Sequence, residues 1–137
     1  KTINYVFDDY ADWDQDTAAD LFKVLLNTGV TPDCVICNND SMALGIIDAC
    51  KEENIDLAKL PVLGIDATTN GCEAIEDGEV AFTVYQSGKG QGTAAVEAAI
   101  HLANGESVGS MDGVTDDGKY VWVPFEKVDK SNVSDYK

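Results

Sequence analysis

Apolar positions along the chain follow two alternating patterns. Short apolar runs at residues 2–7, 34–37, 60–65 and 80–85 have the length and bounding turn residues of strands. Between them, apolar residues recur every three to four positions. Ala18, Leu21, Phe22, Leu25 and Leu26 predict a helix stopped by Asn27-Thr28-Gly29. Met42, Ala43, Ile46, Ile47 and Cys50 predict a second. Cys72 and Ile75 mark a brief third helix ending at Asp77-Gly78, and Ala94, Ala95, Ala98, Ala99 and Leu102 a long fourth closed by Asn104-Gly105. Strand and helix in strict alternation predict an α/β fold, a mainly parallel open sheet with flanking helices. After a Gly-, Ser- and Asp-rich stretch at 105–118, residues 120–125 alternate like a strand, with Pro124 arguing against a central ladder position. The tail from Glu126 is polar and reads as irregular structure or a final helical turn.

The turn at Asn38-Asn39-Asp40 organises the rest. It ends the run Cys34-Val35-Ile36-Cys37, read as a strand buried on both faces, and opens the second helix. In an open parallel sheet the strand carboxyl ends form one rim, where ligands bind. The loops that carry Trp13, Asn39-Asp40, Asp66 and Gln86 are expected there. Carboxylate and amide groups donate to or accept from hydroxyls, and an indole face stacks on the apolar patch of a sugar ring, so the set suits a neutral polyol. Each residue also fits a plainer role as turn former or helix cap. By that reasoning Asp40 is expected to serve the helix start, while Asn39 suits a turn or a ligand equally.

Composition narrows the choice. The 137 residues are 45% hydrophobic, enough for about one ordinary domain, and no segment is apolar for long enough to span a membrane. Twenty-five acidic against nine basic residues give a formal charge of -16, which repels phosphate backbones and argues against nucleic acid as a partner. The four cysteines and single His101 match no zinc spacing, and the cysteines read as buried thiols. No dinucleotide or P-loop glycine pattern is present, and no Ser or Cys nucleophile has a plausible histidine. An enzymatic alternative is a metal-dependent hydrolase with Asp40 and Asp66 as a carboxylate pair on the rim, for which no basic residue or complete metal shell is available. No cofactor or metal is expected. The chain starts abruptly at Lys1, with no signal-peptide pattern.

Three stretches carry a family likeness: Cys37-Asn38-Asn39-Asp40-Ser41-Met42-Ala43-Leu44-Gly45, Pro61-Val62-Leu63-Gly64-Ile65-Asp66-Ala67, and Val123-Pro124-Phe125-Glu126-Lys127-Val128-Asp129-Lys130-Ser131-Asn132. In matching order over nearly the whole chain they resemble the type I periplasmic sugar-binding proteins, and the last resembles the galactose/glucose branch in particular. The resemblance implies that Trp13 stacks on a monosaccharide while Asn39 and Asp66 hydrogen-bond its hydroxyls, with Gln86 at a further sugar-binding position. Gln86 departs from the galactose/glucose pattern toward the ribose one, whereas Gln15 stands where ribose binders have arginine. Only Asp33 matches a calcium-site carboxylate of that branch, one oxygen donor where six to eight are needed.

The resemblance covers only the later part of a two-lobed chain. It implies a fragment in which residues 1–86 supply the carboxy-terminal-lobe sugar-binding segment, 87–122 cross to the other lobe, and 123–137 return and form the tail. The implied activity is hexose binding for an ABC-type importer, outside the cytoplasm, with a permease as partner of the intact protein. The related alternative is the effector-binding domain of a LacI-type repressor. Because the amino-terminal lobe is missing, its partner faces are expected to be compensated by a homodimer or strand exchange, and sugar binding by this chain is expected to be weak or absent.

Overall fold

A computed structural model describes residues 2–136. It contains helices α1 (Gln15–Asn27), α2 (Asp40–Glu52), α3 (Thr69–Glu76) and α4 (Gly88–Ala103), with strands β1 (Val35–Ile36), β2 (Val62–Leu63), β3 (Phe82–Gln86) and β4 (Phe125–Asp129). The sheet has the order β1-β2-β3-β4, and β1, β2 and β3 run parallel with Val35 opposite Val62 and Leu63 opposite Phe82. The alternation read from the sequence therefore builds the parallel α/β sheet it predicts. The chain divides into two compact units, Lys1–Tyr85 with Lys127–Lys137, and Gln86–Glu126.

In the first unit, β2 lies between β1 and β3 and Val62 is fully buried. Phe22 and Leu25 from α1, Ile46, Ile47 and Cys50 from α2, and Ile75 from α3 supply most of the rest of the core, which Val128 and Val133 complete. Burial of apolar side chains of this size stabilises by about 1.5–3 kcal/mol each, set against the ordering entropy of the chain. Helices α1 and α2 come together at Gly45, where a Cβ would run into the Gln15 backbone carbonyl. The last described residues form a short 3-10 turn, Val133–Tyr136, whose Tyr136 ring meets Tyr85 edge-on at 5.1 Å. Lys127 lies 6.0 Å from the centre of the Phe82 ring.

The second unit is built differently. Ser87 caps α4 by accepting the Gly90 N–H at 3.0 Å, yet α4 buries none of its residues. Val96, Ile100 and Leu102 are exposed. Beyond a 3-10 turn at Val108–Ser110, a single antiparallel bridge joins Val114 to Val121, and the Tyr120 and Trp122 rings stack 6.0 Å apart.

Four sequence expectations are corrected. Residues 2–7 form no strand; Ile3 and Tyr5 are exposed, and among the described residues nothing forms a ladder with them, so their alternation has no partner to stabilise it. Residues 120–124 contribute only the bridge at Val121. The ladder starts after Pro124, which has no N–H to donate, so β4 takes in residues 126–129, where irregular structure or a helical turn was expected. The run 34–37 is not buried on both faces: Cys37 is buried whereas Ile36 is 69% exposed, the alternation of a strand covered on one side. Cys34, on the same side of the strand as Ile36, is exposed, while Cys37, Cys50 and Cys72 are buried.

Burial pushes the Cys37 thiol up to about 12 and the Cys50 thiol up to about 11. A disulfide-exchange reagent at pH 8 is therefore expected to modify Cys34 within minutes, and Cys37 and Cys50 only on the timescale of unfolding. Fast release of a second equivalent from native protein would contradict this. The folded chain keeps the protons on Cys37 and Cys50 when an unfolded thiol, ionising near 9.0, has lost its own. Their contribution is whole below about pH 9 and declines as pH rises toward 12.

Candidate functional site

The candidate residues enter at the ends of regular elements. Helix α1 begins where Asp14 turns its carboxylate onto the Thr17 N–H at 2.8 Å and the Thr17 hydroxyl at 2.7 Å. These bonds, the backbone one foremost, hold the Asp14 carboxyl below its usual range. Just before this cap the chain is tightly reversed: the Asp14 N–H bonds to the Ala11 carbonyl at 2.8 Å, and Asp12 and Trp13 take left-handed φ of 49° and 59°. Trp13 is held there with its side chain 69% exposed.

Asn39 is the cap of α2. Its Oδ1 accepts the Met42 N–H at 2.9 Å, and its Nδ2 donates to the Trp13 carbonyl at 3.3 Å. One amide thereby ties the turn before α1 to the start of α2. It retains a second N–H and a second oxygen lone pair with which a hydroxyl could pair.

The cap expected of Asp40 is thus made by Asn39, and Asp40 turns inward to 1% exposure. Its Oδ2 accepts the Thr68 N–H at 2.7 Å and the Thr68 hydroxyl at 3.0 Å, and its Oδ1 accepts the Thr83 hydroxyl at 2.6 Å. Thr68 is itself the cap of α3. The carboxylate lies in the first turn of α2 and against the start of α3, where the positive ends of both helix dipoles offset its burial. Gly64 and Gly71 make room, since a Cβ on either would strike the Asp40 carboxylate. A rim pair of Asp40 and Asp66 for metal-dependent hydrolysis is accordingly not assembled: Asp40 is buried and occupied, and Asp66 is exposed.

Asp66 follows β2 in a strained turn, with φ of 111° at Asp66 and 51° at Ala67. The turn is fixed from β3: the Asp66 N–H bonds to the Val84 carbonyl at 2.8 Å, and the Ala67 N–H to the Thr83 hydroxyl at 3.3 Å. Gln86 is the last residue of β3 and the first of the second unit. Within the first unit, Trp13 and Asn39 are joined by a hydrogen bond, and Asn39 and Asp66 stand at the carboxyl ends of neighbouring parallel strands. The sequence reading missed Thr68 and Thr83. The signal that could have found a buried acid was the pair of glycines, Gly64 beside a strand and Gly71 inside a helix.

Comparison with known proteins places these features in a family. The profile of the periplasmic binding protein domain matches residues 1–107. A Rhizobium meliloti protein named for rhizopine binding is 34% identical over 137 residues, covering 100% of this chain and 41% of that protein. The D-galactose/methyl-galactoside binding periplasmic protein MglB of Haemophilus influenzae is 34% identical over 133 residues, 96% of this chain and 39% of that protein. Among solved structures, an ABC transporter solute binding protein from Bacillus halodurans C-125 with bound myo-inositol is 37% identical, with a TM-score of 0.75 over 92% of this chain and 40% of that one. The chain thus spans about two fifths of the length of these relatives. It belongs to the periplasmic binding protein domain family.

Proposed function

We propose that this chain is part of a sugar-binding component of an ABC-type importer that works outside the cytoplasm, with a hexose or similar cyclic polyol as ligand and a membrane permease as partner of the longer protein. Trp13, Asn39, Asp66 and Gln86 are the ligand-contacting residues of this reading, with residues 1–86 as the binding segment, 87–122 as the crossing to a second lobe and 123–137 as the return. No chemical step is involved; the work is capture of the ligand and closure of two lobes.

The observation that carries the proposal is the exposed Trp13 ring on a left-handed turn bonded to the Asn39 cap. An exposed indole on a turn whose backbone is held offers a stacking face, and the Asn39 amide bonded to that turn has donor and acceptor capacity remaining. The names of the galactoside-binding and inositol-bound relatives support a polyol of this class.

One face of a cleft encloses little of a ligand, so binding by this chain is expected in the millimolar range, about -4 kcal/mol. Titration of 15N-labelled chain with galactose, glucose, ribose and myo-inositol should move the Trp13 indole, Asn39 side-chain and Asp66 backbone signals together. If no member of the panel moves them at 50-fold excess over about 1 mM protein, the reading fails.

A further inference from the structure

We infer that the buried pair Asp40 and Thr83 is the positioning device of the candidate site, setting the Asp66–Ala67 turn relative to Asn39 and so deciding which polyols fit; the inference rests on the sugar-binding reading above. Asp40 follows Asn39 directly, so its carboxylate is fixed to the same helix start that holds the Asn39 amide. From there it reaches two other elements. Oδ2 holds Thr68, two residues beyond Asp66, and Oδ1 holds the hydroxyl of Thr83 in β3.

Thr83 is fully buried, and its hydroxyl has one arrangement that satisfies both partners: the O–H donates to Asp40 while the oxygen accepts from Ala67 N–H. Ala67 has a left-handed φ with a Cβ to accommodate, and neither it nor Asp66 is a glycine. A turn in that conformation persists only where its surroundings hold it. The relay Ala67 to Thr83 to Asp40 supplies the holding and connects it to the neighbouring strand end. A shift of either turn would change the spacing between Asn39 and Asp66, which is what a rigid ring with fixed hydroxyls would sense.

The test compares Thr83→Val, which keeps shape and removes the hydroxyl, with Thr83→Ser, which keeps the hydroxyl. Two readouts are taken: hydrogen exchange at the Ala67 amide relative to that of core residue Cys50, and the ratio of galactose to myo-inositol affinity from NMR titration. In Thr83→Val, Ala67 exchange should accelerate about tenfold against Cys50 and the affinity ratio should change at least threefold, while Thr83→Ser stays near the parent on both. Unchanged Ala67 exchange in Thr83→Val overturns the relay. Changed exchange with an unchanged affinity ratio overturns the positioning role and leaves a structural one. A parent chain that binds no sugar overturns the functional reading and the selectivity clause together, and the exchange readout then decides the relay alone.

Discussion

Asp40→Ala is expected to cost the first unit about 3 kcal/mol of unfolding free energy, as expected for removing the partner of buried hydrogen-bond donors. The side chain is a small fraction of the core by volume, so lost hydrophobic contact explains little of this. The cost arises because the fully buried Thr83 hydroxyl and the part-buried Thr68 N–H and hydroxyl lose their acceptor together. With a urea slope of about 1–3 kcal/mol per molar, the midpoint should fall by 1 M or more. Asp40→Asn should be nearly as harmful, since its NH2 would replace one carboxylate oxygen and face donors. Denaturation followed by circular dichroism decides the matter, and a loss below about 1 kcal/mol for Asp40→Ala would show that the network is dispensable.

A second large effect is expected at Gly45→Val. Replacing a glycine in a helix interior ordinarily stabilises the helix, by up to about 1 kcal/mol for alanine. Here the sign reverses, because the new Cβ would occupy the space of the Gln15 carbonyl and α1 must move off α2. Overpacking of a close contact costs about 1–3 kcal/mol, and a β-branched residue falls at the upper end. The expected result is a similar drop in midpoint, with amide shift changes concentrated in α1. A variant as stable as the parent would mean that α1 shifts at no cost and that the close approach does not hold it.

The helices were legible because their signal is local: Ala18, Phe22 and Leu25 report one buried stripe whatever lies against it. Strand signals were less dependable for the opposite reason. Residues 2–7 and 120–124 alternate well, yet a ladder needs a neighbour in register, and alternation says nothing about whether one exists. The site was legible as a set of strand ends and poorly legible in its assignments. Asn39 and Asp40 are adjacent, small and polar, and local capping preference suits either. What separates them is the partners of Asp40, which lie 28 and 43 residues away in sequence.

The space around the Asp40 carboxylate has a consequence for how the sequence can change over time. Gly64 and Gly71 are glycines because the carboxylate occupies the volume a Cβ would need, so the three positions are bound into one historical unit. A Cβ at either glycine and the Asp40 carboxylate compete for the same volume, so enlarging one requires shortening the other. A variant that enlarges residue 64 or 71 is therefore expected to keep its stability only when Asp40 is shortened with it, although the three positions are far apart in sequence.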